Sequence, residues 1–391
     1  MTPRVMFASY HCHHDPASGA AICTRDLFRP LAARGWTCGS FTGPRLDNPH
    51  ANVANHILTQ PNWSHTAGRS AGINFTVYHQ HGSGYRSSVF VPESSSPNRL
   101  PTPSETATFL AVFREAVTTF RPEIVLTYGG DSASQGVIPI AKQTGAKVVF
   151  WLHNFAYTSA NAFRGCDAVI VPSQCSRDYY RTTLDITCQV LPPVIDPMQV
   201  VATDRTPKYI VFVNPEPVKG VLWFARIAEV LGRTRPDIPL LVVEGRGQVD
   251  WLGRCGVDLA GITSVHRMKN TLDPRRFYRL AKLVLMPSVW RESFGRVAAE
   301  SLLNGIPVLT SDRGALPEVT GDTGLSLPEW LTPATRTPPR VEDVSAWTQA
   351  IVRLWDNADE YDRACRSARE AGRRWHSEVV VPMWERVLNA I

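Results

Sequence analysis

The stretch LVLMPSVWRESFGRVAAESLLNGIPVLTSDRGALPEVTGDTGLSL, residues 283–327, decides the fold of its part of the chain. Leu283–Met286 reads as a short buried strand that a Pro287-Ser288 turn ends. Glu292-Ser293-Phe294-Gly295 leads into a helical pattern that runs to Asn304 and stops at Gly305. Ile306–Thr310 reads as the next strand. Strand, turn, helix and strand in this order make a parallel α/β unit, whose helix N-terminus points into the crevice at the strand's carboxyl end. The N–H groups there suit an anion such as a diphosphate. Glu292 and Glu300 are eight residues apart. With Glu292 just before the helix and Glu300 about two turns in, their carboxylates reach separate parts of one elongated ligand. Carboxylates accept paired hydrogen bonds from vicinal hydroxyls, so sugar and ribose diols are natural partners.

The same alternation extends outward. Val5–Ser9, Ile124–Tyr128, Lys147–Leu152, Ala168–Pro172, Tyr209–Val213 and Pro239–Glu244 are further strand candidates, and between them Phe109, Leu110, Val112, Phe113, Ala116, Val117 and Phe120 mark one buried helix face. The proline-rich segment 185–208 reads as a linker, which predicts a first domain over 1–199 and a second over 200–375. Residues 376–391 read as a helix with an apolar face. Residues 43–104 break the rhythm and read as an irregular, functional insert of the first domain.

At 391 residues, 43% apolar and 19% charged, the chain has the make-up of a globular protein with two cores. It holds no apolar run near the ~18 residues a membrane span needs. The apolar run at Val5–Ala8 is too short for a signal peptide and reads as the first strand of a cytoplasmic protein. The eight cysteines form no CxxC pair, which argues against a zinc ribbon or disulfide framework. A net charge of +6, spread along the chain, favours anionic ligands or peripheral contact with a negative membrane surface and gives no support to nucleic-acid binding. Oligomeric state is left open.

The segments ESFGRVAAE and NGIPVLTSDRGALPE resemble the retaining glycosyltransferases of family 4, whose hallmark is E-x7-E followed by a G-x-P-V strand. The resemblance implies a GT-B fold: two Rossmann-like parallel-sheet domains facing across a cleft, with C-terminal helices packing back on the N-terminal domain. It further implies transfer of a sugar, with retention and without a metal or other cofactor, from a nucleoside-diphosphate sugar, a UDP- or GDP-sugar foremost, to an acceptor hydroxyl. By that resemblance Glu292 binds donor-sugar hydroxyls, Ser293, Phe294, Gly295, Arg296 and Val297 approach sugar and phosphate, and Glu300 holds the ribose. In FVNPEPVKG, residues 212–220, Lys219-Gly220 fits the family's diphosphate segment, but Asn214 stands where an arginine is usual. Arg246 or Arg296 is then the candidate replacement cation. VVEGRG brings Gly245 to the nucleotide, and Met268 falls in the base-contacting segment. His153, after the strand in VVFWLHNFAY, is the candidate catalytic imidazole beside Glu292.

In SYHCHHDPASGAA, residues 9–21, consecutive histidines diverge and a metal is not expected. Gly19 is the glycine of a loop that the resembled family places near the donor phosphates. His13, His14 and Asp15 read as cleft-lining groups on the acceptor side. Asp131, in LTYGGDSASQG, fits equally an acceptor-side residue and a helix cap. His79, His81, Tyr85 and Arg86 are polar candidates in the insert. Two other classes keep the same fold: a sugar-nucleotide epimerase, and a catalytically silent sugar-nucleotide binder, which the missing arginine at Asn214 would suit. A dehydrogenase or P-loop protein is excluded, because neither glycine fingerprint is present.

Overall fold

The computed structural model describes residues 3–48, 53, 57–58, 62–82, 84–93, 99–321, 325, 327–328 and 331–391. The chain divides into two compact units, one of residues 1–172, 176–194 and 380–391, the other of residues 173–175 and 195–379. No helix among the described residues is long and apolar enough to cross a membrane.

The first unit is built on a sheet of β1 (Arg4–His11), β2 (Thr37–Arg45), β3 (Trp63–Ser70), β4 (Ile73–Gly82), β5 (Tyr85–Pro92), β6 (Ile124–Thr127), β7 (Lys147–Trp151), β8 (Ala168–Val171) and β9 (Gln189–Val190). Their order is β3-β4-β5-β2-β1-β6-β7-β8-β9. From β5 to β9 neighbouring strands run parallel, and β3 and β4 add an antiparallel hairpin at one edge. Parallel strands are buried on both faces, and Val5, Phe7, Val148, Phe150 and Trp151 are accordingly inaccessible to solvent. Helices α1 (Gly19–Ala33), α2 (Pro103–Phe120) and α3 (Ser132–Gln143) bring Phe28, Phe109, Phe113 and Val137 into the same core. Helix α2 starts at a capping box in which Thr102 Oγ1 accepts from the Glu105 N–H and the Glu105 carboxylate accepts from the Thr102 N–H.

The irregular insert expected over 43–104 is corrected here: β3, β4 and β5 are regular strands. β3 lies at the sheet edge with every residue at least partly exposed, so it carries no apolar alternation. Its turn into β4 is Ala71-Gly72, both at positive φ (49° and 80°), without the Asn-Gly signature of such hairpins.

The second unit has a wholly parallel sheet of β10 (Tyr209–Val213), β11 (Leu240–Val243), β12 (Val265–Met268), β13 (Ala281–Met286) and β14 (Val308–Thr310), in the order β12-β11-β10-β13-β14. Helix α4 (Val221–Thr234) fills one core with Trp223, Phe224 and Ile227, and α5 (Arg296–Leu303) supplies Ala298, Ala299 and Leu302 to a second. Helix α6 (Ser377–Ala390) carries the chain back into the first unit, where the Trp384 ring packs at a tilt, 4.4 Å from Trp151, and donates its indole N–H to Pro192 O at 2.9 Å.

Trp384 is fully buried, so Trp384→Ala opens a cavity and strands the Pro192 carbonyl. The expected loss is about 3–5 kcal/mol, read as a lower urea midpoint for the first unit.

Candidate active site

In the second sheet the chain moves from β10 outward to β11 and β12, then returns to the other side of β10 for β13 and β14. This reversal opens a crevice at the carboxyl ends of β10 and β13, the place where open α/β sheets bind ligands. Lys219 lies in the turn after β10 and Glu292 in the loop after β13. Glu292, only 8% exposed, accepts on Oε1 from Lys219 Nζ at 2.7 Å and from Ser288 Oγ at 2.8 Å. The loop bearing it is tied down along its length. Val289 and Trp290 N–H both reach Val218 O at 3.1 Å, Ser311 Oγ donates to Ser288 O at 2.7 Å, and Ala315 N–H to Glu292 O at 2.8 Å. Two glycines make these contacts sterically possible. A Cβ on Gly220 would lie 1.9 Å from Pro287 O, and one on Gly314 would lie 2.2 Å from Glu292 O and 2.5 Å from Glu292 N. Both also hold positive φ (86° and 67°).

Gly295, also at positive φ, leads Ser293 and Phe294 into α5, of which Arg296 is the first residue and Val297 the second. Phe294 is buried edge-on against Trp375. Glu300 stands four residues beyond Arg296, hence just over one turn into the helix instead of the two expected. It is 7% exposed, with Oε2 accepting from Tyr278 OH at 2.9 Å and Oε1 from Arg296 Nε at 3.0 Å. Burial, then the Glu300 charge, push the Tyr278 phenol well up, so it stays a donor. Tyr278 and Ser288 were not readable as site residues, because neither stands at a motif spacing from the glutamate it orients.

Asn214, after β10, has a positive φ of 62° and a side chain bonded at both ends. Its Oδ1 accepts from Gly247 N–H at 2.7 Å and its Nδ2 donates to Glu216 Oε2 at 2.8 Å. It clamps the Gly245-Arg246-Gly247 turn after β11, and Arg246 Nη2 faces Glu216 Oε2 at 3.6 Å. Met268 ends β12, and its carbonyl accepts from Glu244 N–H at 2.9 Å. Glu244 itself is buried against Arg267 at 2.9 Å.

The first sheet reverses in the same way between β1 and β6. At its carboxyl edge His11 faces Asp131 Oδ2 at 3.6 Å and Asp47 Oδ1 at 3.9 Å, with Arg45 Nη1 3.5 Å from its Nε2. Tyr128 lies between the rings of His11 (5.4 Å) and His153 (5.3 Å). His153 is half-buried just beyond β7 and also packs on Trp151. Asp131 caps α3, accepting from Ser134 N–H at 2.9 Å. Of the histidines in SYHCHHDPASGAA, His11 is not singled out in the sequence, nor is Arg45, since only the parallel pairing of β1 with β2 brings the two together.

The expectation that His13 lines an open cleft is corrected, whereas His14 keeps partial exposure. His13 is 0% exposed, with Nε2 2.7 Å from Tyr85 OH, and His14 Nε2 lies 2.7 Å from Ser87 Oγ. β5 stands against this loop, which the sequence reading of an irregular insert hid. Asp15 is buried and accepts from Ala17 N–H at 2.8 Å and Asp47 N–H at 2.6 Å. Gly19 opens α1. In the hairpin, His79 Nδ1 lies 2.9 Å from Ser88 Oγ and 3.3 Å from Arg86 Nη2, while the His81 side chain lies outside the described residues. Burial foremost, with Arg25 nearby, pushes the His14 imidazole down to about 3 and the His13 imidazole well below its usual value. Both are therefore neutral near pH 7. Among the described residues no three His, Cys, Asp or Glu side chains are grouped to hold a metal ion.

Comparison with solved structures establishes the fold. A glycosyltransferase from Rickettsia africae superimposes with a TM-score of 0.69 at 13% identity, covering 99% of this chain and 98% of its own. HepE of Anabaena in complex with UDP and glucose gives 0.68 at 16% identity with 100% of both chains covered. The pneumococcal O-GlcNAc transferase GtfA in complex with UDP and GlcNAc gives 0.65 at 12%, over 100% and 99%. The chain thus has the GT-B fold, with two Rossmann-like α/β units. Residues 207–357, which contain β10 to β14 with Lys219, Glu292 and Glu300, match the sequence model of the family described as Glycosyl transferases group 1. A comparison with curated protein sequences gave no match.

Two outcomes follow from this geometry. Gly314→Ala drives a methyl group into the Glu292 backbone and is expected to cost about 2–4 kcal/mol, combining close contact with positive φ, as measured by urea unfolding of the second unit. For His14 the folded value lies below the unfolded 6.5, so the unfolded chain binds the proton first and stability falls as pH drops from 6.5 towards about 3. His14→Gln should flatten the slope of unfolding free energy against pH by about 1.4 kcal/mol per unit in that window.

Proposed function

We propose that this chain is a glycosyltransferase that moves a sugar from a nucleoside-diphosphate sugar, foremost a UDP- or GDP-sugar, to an acceptor hydroxyl. The observation that carries the reading is the nearly buried Glu292 carboxylate paired with Lys219 at the switch point of the second sheet. The match of residues 207–357 to Glycosyl transferases group 1 supports it, as does the likeness to proteins crystallised with UDP and glucose or with UDP and GlcNAc.

In this reading Glu292 accepts hydrogen bonds from donor-sugar hydroxyls, and Lys219 draws the diphosphate to the same crevice. As the glycosidic C–O bond breaks, negative charge grows on the leaving phosphate, and Lys219 with the N–H groups at the start of α5 stabilise it. In this reading the protein's own cations and N–H groups carry that charge, without a metal. Glu300, oriented by Tyr278 and Arg296, keeps acceptor positions for the ribose hydroxyls. The acceptor hydroxyl attacks the face the leaving group departs from and hands its proton to the leaving phosphate, so the anomeric configuration is retained. On the first unit, His153 is the proposed sugar-orienting imidazole, and Asp131 and the partly exposed His14 are assigned to the acceptor side.

A thermal-shift panel of UDP-, GDP-, ADP- and dTDP-sugars is expected to raise the melting temperature with one base class. With that donor, Glu292→Gln should reduce transfer or donor hydrolysis by about 10²–10³-fold at unchanged fold. An absence of shift with every nucleotide sugar, in folded protein, overturns the reading. Product formed without acceptor as an epimerised sugar nucleotide would replace it.

A further inference from the structure

A diphosphate carries more negative charge than one lysine neutralises, and Lys219 already spends part of its charge on Glu292, 2.7 Å away. The second cation has to stand near the same turn. Position 214 does not supply it, because Asn214 uses both ends of its amide internally. Arg296 is close in sequence but committed: Nε and Nη2 both lie 3.0 Å from Glu300 Oε1, and its side chain is largely buried.

Arg246 differs on each count. Its turn follows β11, the strand beside β10 on the side away from β13, so the turns after β10 carry Glu292 on one flank and Arg246 on the other. Its side chain is 37% exposed, and its sole charged neighbour among the described residues, Glu216, stays 3.6 Å away, beyond the ~2.7–2.9 Å of a charge-assisted hydrogen bond. Glu216 Oε2 is occupied by Asn214 Nδ2 at 2.8 Å. The guanidinium is thus held near Glu216 without being consumed, and most of its five donors remain for a ligand.

What holds it there is Asn214. The amide joins the two turns directly, with Oδ1 on the Gly247 N–H and Nδ2 on the carboxylate that faces Arg246. Asn214 also holds a positive φ of 62°, a conformation that asparagine adopts with less strain than a long side chain. We infer that Arg246 is the second diphosphate-binding cation of this chain and that Asn214 is its positioning residue, so the charge sits on the β11 turn instead of the β10 turn. This rests on the donor-site reading given above and deepens it.

The test is calorimetric titration with whichever of UDP, GDP, ADP or dTDP binds wild type, together with the corresponding free nucleoside. Arg246→Ala is expected to weaken the diphosphate at least tenfold while changing nucleoside affinity less than about twofold, and Arg246→Lys to recover part of the loss. Asn214→Ala alone should weaken the diphosphate, yet add nothing in the Arg246→Ala background, because its effect passes through the guanidinium. Unchanged diphosphate affinity in Arg246→Ala, or additive losses in the double variant, overturns the inference. If wild type binds none of the four diphosphates, the donor-site reading itself fails, an outcome distinct from either.

Discussion

Three loops in the second unit meet backbone to backbone around Glu292, and the site depends on that closeness. The turn after β10 touches the loop after β13 at Gly220 and Pro287, and the loop after β14 touches it at Gly314 and Glu292. No side chain separates the strands of this knot, so the Glu292 backbone is set by peptide geometry. Ser288 and Lys219 then hold the carboxylate at the end of that anchored side chain. A nearly buried carboxylate is expensive without partners, and here the partners come from both flanking loops.

The two sheets manage charge in opposite ways at their carboxyl edges. In the second unit, Lys219 with Glu292, Arg296 with Glu300, and Arg267 with Glu244 are paired in hydrogen-bond contact, and the Arg246–Glu216 pair, 3.6 Å apart, is the exception. In the first unit, His13 and His14 are kept neutral by burial, and the charged groups about His11 stand 3.5–3.9 Å apart. Tight pairs hold the charged side chains of the second unit in fixed positions. In the first unit, the rings of Tyr128, His153 and Trp151 pack in a row beside the looser polar groups.

Much of this was legible in the sequence where burial is two-sided. Tyr209–Val213 and the strands at Ile124, Lys147 and Ala168 announce themselves as continuous apolar runs, because parallel strands have no wet face. The strand-turn-helix order around Glu292 likewise places that residue at a carboxyl end before any coordinates. Legibility ends where a residue's role depends on a distant partner. β3 lacks alternation because it is an edge, Tyr278 meets Glu300 only through the packing of a short helix on α5, and the inward turn of His13 depends on Tyr85 of β5. The asparagine at 214 looked like a lost cation, and only the Gly247 and Glu216 bonds reveal an amide used as a clamp.

The return of helix α6 to the first unit has a consequence for the order of events during synthesis. The core around Trp151 is closed by Trp384, whereas the rest of that unit is complete at Val194. A ribosome adding ~5–20 residues per second needs about 10–40 s to travel between these points. During that interval the bulk of the second unit, residues 195–379, is made in one stretch, while the first, though synthesised earlier, lacks the Trp384 ring that packs on Trp151. The N-terminal half is therefore the later of the two to finish, although it is the first to leave the ribosome.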